Sequence, residues 1–493
     1  MDNLKKRSLN AIIWDMAGKF AGQGIGFVIS IILARLLSPQ DFGLLAMVNV
    51  VIALATVLVD MGLGSALIQR QDVTDEHYGS VFYFNLAVGS FLALILFATA
   101  PLIASFYGRT EIVSLARVMS LLFVINSFCN VQRLWLRKQL NYKILTQASV
   151  VGTAIGGISG VTLAFTGFGV WSLVAQTLIS AICNNLYVYF QTKWKPRLIM
   201  SMKALKELWL FGFNLFLSAV LDSIFTQLDS IIIGRIFSAQ TLGYYFRSKS
   251  LDAFVRNYTS GSLMAILFPV LSTIQNEEER YKEIIYKSFH VLNFITFLLL
   301  GILYLGAKDI IVMLFSDKWL PSVEYFQIIV LAGFVYPFSS LLVNILSSKG
   351  NSKAFLKLEV YKKIVLAINF GIGFLFGIKG FLYGMVIFGI IALVLNILYA
   401  AKEMKVSNIW FYQVIWKYLL IGAISTSGLA FWGNKLNILH IFHFLFIVGI
   451  YTVLYVIIAY WLRLPGVRFI GNEFVKLQIA QKIRQYTHSI WTK

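Results

Sequence analysis

Polar and ionisable side chains recur at helical spacing inside segments that are otherwise apolar. In the first such segment, Asp15, Lys19 and Gln23 follow one another at intervals of four residues. Residues four apart lie on the same face of a helix, so these three side chains form one polar stripe. A basic group at membrane depth can hold a phosphate, and a carboxylate can bind a proton or a sodium ion. The stripe therefore predicts a pathway for a polar cargo.

Two later segments carry similar polar faces. Asp222 and Asp229 are two helical turns apart, and Lys249, Asp252 and Arg256 share one helix face. Ten ionisable residues fall well inside predicted membrane spans: Asp15, Lys19, Asp60, Arg117, Asp222, Asp229, Arg247, Lys249, Asp252 and Arg256. Facing lipid, each would cost roughly 3 kcal/mol, and the sum of about 30 kcal/mol exceeds the ~5–15 kcal/mol stability of a typical protein. Most of them must therefore face water or one another.

The ten charges are five acidic and five basic, which leaves more than one role open. We predict that a central cavity binds substrate through Lys19, Gln23, Arg117, Arg247, Lys249 and Arg256. The aspartates either bind a coupling ion or hold the basic groups in place: Asp15, Asp60, Asp222, Asp229 and Asp252. The competing interpretation is a set of salt bridges between helices with no ligand. Arg117 and Arg247 also lie near predicted span ends, where long side chains reach the membrane interface.

The composition is that of a membrane protein. Of 493 residues, 58% are hydrophobic and 13% are charged, whereas a soluble domain carries about 25% charged residues. This deficit excludes an ordinary globular enzyme. The net charge of +20 is typical of the Lys- and Arg-rich cytoplasmic loops of membrane proteins, and we expect no nucleic-acid partner.

Hydropathy predicts an all-α membrane protein with about 14 transmembrane helices. The predicted spans are 9–36, 42–68, 77–105, 112–136, 144–166, 168–192, 205–235, 242–270, 283–305, 323–348, 355–378, 379–402, 412–433 and 440–463. The N-terminus, the even-numbered connections and the C-terminal tail carry most of the lysines and arginines. Because cytoplasmic loops are enriched in these residues, we expect both termini in the cytoplasm.

An internal repeat divides the chain. Residues 32–43 align with residues 232–243, at an offset of 200 residues. Each copy joins the first and second spans of a six-span unit, which predicts two six-helix lobes related by pseudo-two-fold symmetry about the membrane normal. The expected domains are lobes at 1–200 and 201–405, two further helices at 406–463 and a basic cytoplasmic tail at 464–493. The tail is either an amphipathic helix on the membrane surface or a frayed terminus.

Smaller signals concern packing and metal binding. Gly18, Gly22 and Gly26 form a row of small residues suited to close helix packing or to bending. His440 and His443 form an HxxH pair without a third ligand, so we expect interfacial histidines and no metal site. The sequence contains no phosphate-binding loop, nucleophile elbow or dinucleotide motif, so we expect no cofactor and no catalytic residue.

Several segments together resemble one known family. Residues 34–46 (ARLLSPQDFGLLA) and 60–70 (DMGLGSALIQR) resemble the N-terminal region of bacterial polysaccharide exporters. Residues 167–176 (GFGVWSLVAQ), 228–235 (LDSIIIGR) and 267–272 (LFPVLS) extend the resemblance. The chain is similar, over nearly all of its first twelve predicted spans, to the Wzx-like exporters of the multidrug/oligosaccharidyl-lipid/polysaccharide superfamily.

This resemblance implies two six-helix lobes around a central cavity that opens alternately to each side of the membrane. It implies a lipid-linked oligosaccharide as cargo, usually carried on undecaprenyl diphosphate, which moves from the inner to the outer leaflet of the bacterial cytoplasmic membrane. The cavity is often cationic in this family, whereas the ten charges counted here are balanced. The last two helices are implied to contact lipid tails.

The polar spans and the resemblance have to be weighed against three functions. The main hypothesis is a flippase for a lipid-linked glycan, with membrane lipids as further partners and with proton or sodium coupling. The alternative is a cation-coupled multidrug efflux transporter, in which aspartates such as Asp15 and Asp222 bind the cation or the drug. A membrane glycosyltransferase or polymerase usually presents a large catalytic loop, and no predicted connection is long enough for one. We therefore expect a transporter and not an enzyme.

Overall fold

The computed structural model describes residues 2–197, 199–256, 262–433 and 439–469, and the regular structure of these residues is helical. This confirms the predicted fold class at the level of an all-helical membrane protein. The chain divides into two compact units, residues 1–246 (unit 1) and residues 247–493 (unit 2). Most of the predicted tail lies outside the described residues.

In the described part of unit 1 there are nine complete helices, and a tenth, α10, begins in unit 1 and ends in unit 2. They are α1 (Asp2–Leu36), α2 (Pro39–Asp60), α3 (Leu63–Gln69), α4 (Asp75–Tyr107), α5 (Glu111–Met119), α6 (Leu121–Lys138), α7 (Tyr142–Phe165), α8 (Val170–Gln191), α9 (Met202–Ile236) and α10 (Ala239–Arg256). Between α7 and α8, Gly167 has a φ of +84°. Glycine adopts this conformation without strain, so the helix ends at the break predicted near this residue.

Unit 2 holds the remaining helices. They are α11 (Ser262–Thr273), α12 (Glu278–Leu305), α13 (Ala307–Phe315), α14 (Ser322–Gly333), α15 (Val335–Ser348), α16 (Ser352–Gly373), α17 (Gly377–Met404), α18 (Asn408–Gly433) and α19 (His440–Trp461). The predicted span 323–348 is split into α14 and α15 at Phe334, close to Pro337. A proline removes one helical hydrogen bond, which is a common cause of such a break.

Among the described residues, ten helical segments are long and apolar enough to cross a membrane. One of them, Lys353–Met404, contains most of α16 and all of α17. These two helices pack on each other, and the break between them lies at Gly377, where φ is +75°. The predicted boundary near Lys379 is therefore close to the observed break.

Small residues bring α1 and α7 close together. The predicted row Gly18, Gly22 and Gly26 faces α7, where Gly18 lies against Thr146. The Thr146 hydroxyl donates a hydrogen bond to the Trp14 carbonyl oxygen at 2.7 Å. Such rows let helix backbones approach closely where no hydrophobic force drives association. The row therefore serves packing, which is one of the two roles predicted for it.

A second glycine row on α7 faces α8. A Gly156→Ala substitution is expected to lower the thermal midpoint, because its Cβ would lie 2.6 Å from the Gln176 carbonyl oxygen. Overpacking of this kind typically costs about 1–3 kcal/mol. Gly371→Ala is the matched control, since no atom lies within 4 Å of its Cβ position. Equal midpoints for the two variants in detergent-solubilised protein would contradict the close packing of α7 on α8.

Buried tyrosines hold α19 against α12 in unit 2. The Tyr451 hydroxyl donates to the Phe297 carbonyl oxygen at 2.9 Å, and the Tyr455 hydroxyl donates to that of Phe294 at 3.1 Å. Both tyrosines are fully buried. Because each hydroxyl has a partner, burial of these large rings stabilises the helix pair without an orphaned polar group.

Candidate functional site

In each copy of the repeat, a serine caps the helix that follows it. Ser38 caps α2, where its hydroxyl accepts a hydrogen bond from the Asp41 amide at 3.3 Å. Ser238 precedes α10, and its hydroxyl accepts from the Thr241 amide at 3.1 Å. A serine at this position satisfies an otherwise unpaired donor of the first helical turn. The repeat therefore starts α2 and α10 in the same way.

The glycines of the two copies meet each other within unit 1. A Cβ atom at Gly43 would lie 1.7 Å from the Ala239 carbonyl oxygen, and one at Gly243 would lie 1.9 Å from the Pro39 carbonyl oxygen. The two contacts are reciprocal, because Gly43 and Pro39 are related to Gly243 and Ala239 by the same offset of 200 residues. Any side chain larger than hydrogen would push these backbones apart.

The far end of α2 also meets α9. Gly62 has a φ of +76°, and its Cβ position lies 2.2 Å from the Gly212 carbonyl oxygen. Nearby, an Arg70 guanidinium nitrogen lies 2.7 Å from a Glu207 carboxylate oxygen of α9. Hydrogen bonds from Arg70 also lower the pKa of Asp72 to about 2. Close backbone contact and ion pairing thus join the end of α2 and the following α3 to α9.

A polar cluster in unit 1 contains a cation that is absent from the predicted site. Arg133 of α6 is half-buried, and its guanidinium donates to the Asn184 side-chain oxygen at 3.0 Å and to that of Asn185. The Asn185 amide nitrogen donates in turn to the Ile125 carbonyl oxygen at 2.7 Å. In the described part of the chain, no carboxylate pairs with Arg133. Neutral amides hold the guanidinium in place but do not neutralise its charge.

The predicted residue Asp60 contacts the same helix. Asn130 of α6 donates to one Asp60 carboxylate oxygen at 3.2 Å, and the Gly64 amide donates to the other at 3.3 Å. Asn130 and Arg133 are three residues apart, so they lie on one side of α6. That side of α6 therefore carries Asn130, which binds a carboxylate, and Arg133, which is bound by two asparagine side chains.

Three predicted residues of α10 lie in unit 2, where two of them form a pair and the third packs on aromatic rings. Asp252 is buried and forms an ion pair with Arg256 at 2.8 Å. Arg247 is also buried, and its guanidinium carbon lies 4.3 Å from the ring centroid of Phe315. The Arg256 guanidinium carbon lies 5.1 Å from that of Tyr336. Cation–π contacts of this kind stabilise a desolvated arginine.

Two further predicted residues are engaged within unit 1. Asp229 is buried and accepts a hydrogen bond from the Tyr245 hydroxyl at 2.5 Å. Arg117 donates to the Phe97 carbonyl oxygen at 3.4 Å, and its guanidinium carbon lies 4.8 Å from the centroid of that ring. Both side chains are thus held by the local packing of unit 1.

The other predicted residues are distributed over several helices. Gln23 of α1 and Asp222 of α9 are exposed, and Lys249 of α10 is half-buried. The side chains of Asp15 and Lys19 lie outside the described residues. Neither Gln23 nor Asp222 is therefore enclosed by the packing of unit 1.

The histidine pair has a partner that sequence analysis did not find. Asp309 of α13 is buried, and its two carboxylate oxygens lie 2.6 Å from His440 Nδ1 and 2.5 Å from His443 Nδ1. The sequence pattern gave the HxxH pair no partner, and the structure supplies one in Asp309. Each imidazole uses Nδ1 to bind the carboxylate, and no group of three candidate metal ligands is found in the described residues.

An Asp309→Ala substitution is expected to loosen α19 from α13. Two hydrogen bonds to a buried charged group would be lost, at about 1.5–3 kcal/mol each. The expected result is a clearly lower thermal midpoint in detergent. Asp317→Ala, a change of the same type in the following 3₁₀ turn Asp317–Trp319, is the control. A midpoint equal to that control would show that the cluster adds no stability.

Comparison with known proteins identifies relatives of the chain. Residues 32–324 match the family described as polysaccharide biosynthesis protein. The chain belongs to this family. It is 29% identical over 306 residues to the succinoglycan biosynthesis transport protein ExoT of Rhizobium meliloti strain 1021, and the match spans 62% of each chain. It is 23% identical over 402 residues to the lipopolysaccharide biosynthesis protein WzxC of Escherichia coli K12, covering 80% of this chain and 81% of that protein.

Solved structures share the fold. The lipid II flippase MurJ in an inward closed conformation superposes with a TM-score of 0.70 at 16% identity, covering 92% of this chain and 99% of that chain. An inward-facing multidrug resistance transporter of the MATE family gives a TM-score of 0.62 at 18% identity, covering 80% and 98%. The family match and these superpositions establish that this chain is a polysaccharide biosynthesis protein with the fold of MurJ and the MATE transporters.

Proposed function

We propose that this chain is a flippase that exports lipid-linked oligosaccharide units across the bacterial cytoplasmic membrane for surface polysaccharide synthesis. Its family membership supports a role in polysaccharide biosynthesis, and relatives named for succinoglycan transport and lipopolysaccharide biosynthesis suggest the class of cargo. The likeness to a lipid II flippase supports a fold suited to moving a phosphorylated lipid.

The observation that carries this proposal is the environment of Arg133. A cation in a membrane-length helix is costly unless a counter-charge reaches it, and its partners here are the neutral amides of Asn184 and Asn185. A diphosphate headgroup supplies a negative charge and the acceptors that a guanidinium fork can bind. Arg133 therefore joins the proposed phosphate-binding set of Lys19, Gln23, Arg117, Arg247, Lys249 and Arg256.

Most of the aspartates have a pairing role in this proposal. The ion pair formed by Asp252 supports that interpretation. The hydrogen bonds that Asp60 and Asp229 accept from neighbouring side chains support it as well. Proton or sodium coupling by the aspartates, with Asp15 and Asp222 among them, is the other role in the proposal.

Alternating access is part of the same proposal. We place lobes at 1–200 and 201–405, with about 14 spans and both termini in the cytoplasm, as the charge bias and the repeat favour. The reciprocal contacts of Gly43 and Gly243 support a pseudo-two-fold axis between the repeat copies. In the proposed cycle, this contact closes one side of the pathway and separates when that side opens.

The alternative is a cation-coupled multidrug transporter, since that class shares the fold. Family membership favours glycan export over multidrug transport.

To separate the two functions, the gene is deleted in its host and restored on a plasmid. Surface polysaccharide and resistance to cationic drugs are then both measured. Loss and recovery of polysaccharide with unchanged drug resistance is the expected outcome. Changed drug resistance with normal polysaccharide would establish the efflux alternative instead.

A further inference from the structure

A cavity in unit 1 lies outside the proposed export site. Its volume is about 430 Å³, and it is lined by residues of α1, by the connection between α6 and α7, and by the end of α8. The walls combine the aromatic rings of Trp14, Trp135 and Tyr142 with Lys143 and Lys193. No carboxylate is found among the described residues that line it. The cavity is therefore partly apolar and carries two positive charges.

Both lysines are available to a ligand. Their side chains are exposed, and neither forms an ion pair with a carboxylate in the described part of the chain. The Lys143 ammonium nitrogen lies 5.6 Å from the ring centroid of Trp14, which places the cation at the aromatic wall. A ligand with a negative headgroup and an apolar remainder matches this combination.

The backbone adds further donors to the same wall. Helix α7 begins at Tyr142, and Asn141 at its N-cap makes no side-chain capping hydrogen bond. The first amide groups of a helix have no partner within the helix, and the helix dipole favours an anion there. These amides, together with Lys143 and Lys193, provide several donors for one phosphate group.

The predicted position of the cavity, at the cytoplasmic surface of the membrane, favours a lipid headgroup as the anion. The α6–α7 connection is the fourth predicted connection, and the lysines and arginines of the even-numbered connections predict the cytoplasmic side for it. Tryptophan and tyrosine rings are typical of the membrane–water interface, and basic pockets between helices on that side bind lipid headgroups. We propose that this cavity binds the phosphate-bearing headgroup of a lipid. This inference goes beyond the proposed function, because a bilayer phospholipid fits the cavity as well as the cargo does.

The test uses the full-length protein in detergent micelles and native mass spectrometry. The probes are dioleoylphosphatidylglycerol, dioleoylphosphatidylcholine and farnesyl diphosphate. A Lys143→Gln/Lys193→Gln double variant is compared with a Lys353→Gln/Lys357→Gln control, which removes two exposed lysines of unit 2. We expect the first variant to lose about tenfold or more in affinity for phosphatidylglycerol, because each basic residue near a membrane surface attracts anionic lipid. The control should match the wild type.

The probes distinguish the two sources of phosphate. A loss confined to phosphatidylglycerol supports a site for a bilayer phospholipid, and a loss that includes farnesyl diphosphate supports a site that also takes the diphosphate of the cargo. Equal affinities of the double variant and the control for both anionic probes would overturn the proposal. So would tighter binding of phosphatidylcholine than of phosphatidylglycerol by the wild type. Unchanged thermal midpoints without added lipid show that both variants are folded.

Discussion

A Gly43→Ala variant is expected to reach the membrane at normal levels and to lose surface polysaccharide export. The added methyl group would lie 1.7 Å from the Ala239 carbonyl oxygen, which is backbone and cannot rotate away. Relieving such an overlap costs about 1–3 kcal/mol or more. In the proposed cycle this energy disfavours the state in which the repeat copies touch, so export should fall about tenfold or more, at ~1.4 kcal/mol per factor of ten.

The equivalent glycine of the other repeat copy provides a check on this result. Gly243→Ala should produce the same defect, because its methyl group would lie 1.9 Å from the Pro39 carbonyl oxygen. Gly24→Ala is the matched control, since no atom lies within 4 Å of its Cβ position in α1. Export is measured as surface polysaccharide per cell, and protein level by immunoblot of membranes. Normal export by both Gly43→Ala and Gly243→Ala would remove this contact from the transport cycle.

The second large effect is expected at Arg133. An Arg133→Gln variant keeps a polar side chain beside Asn184 and Asn185 but removes the charge that we assign to phosphate binding. A hydrogen bond to a charged group contributes about 1.5–3 kcal/mol, so export should fall by about tenfold or more. Arg133→Lys should be intermediate, because an ammonium retains the charge without the planar fork.

A control must separate binding from folding. Arg280→Gln removes an exposed arginine that pairs with Glu277, so it should leave both export and thermal midpoint unchanged. If Arg133→Gln lowers the thermal midpoint strongly and Arg133→Lys restores it without restoring export, the arginine fork itself is required. Wild-type export by Arg133→Gln would exclude Arg133 from the site.

Local features of the fold could be predicted from the sequence. Gly167 and Lys379 marked helix boundaries because glycine and charge interrupt apolar runs there, and the structure places breaks at Gly167 and Gly377. The row from Gly18 to Gly26 predicted close packing, and it contacts α7. These signals depend on residues near one another in sequence, where helical periodicity suffices.

Contacts between distant segments could not be predicted in this way. Asp309 and His440 are 131 residues apart, and Arg133 and Asn184 are 51 residues apart. Nothing in the periodicity of α6 indicates which helix it faces. One signal was available, since Asn184 and the adjacent asparagine interrupt an apolar run and required a buried polar partner.

The repeat and the charges contribute differently to the proposed mechanism. The repeated serines start α2 and α10, and the repeated glycines Gly43 and Gly243 permit backbone contact. The cation at Arg133 does not follow the repeat, because the residue at the same offset of 200 positions is Gly333. The repeat therefore describes the scaffold, and Arg133, which we propose binds phosphate, lies on it asymmetrically.

The activity that we propose for this chain is the movement of a phosphorylated, lipid-linked glycan from one leaflet to the other. The direct measurement uses purified protein in liposomes that contain a fluorescent undecaprenyl-diphosphate oligosaccharide in both leaflets. A membrane-impermeant quencher of the sugar label then reports the accessible fraction over time. We expect wild-type protein to expose nearly all of the label, and Arg133→Gln protein to expose little beyond the outer leaflet on the same timescale. Accessibility that stays at the outer-leaflet level with wild-type protein, as in empty liposomes, would contradict the account.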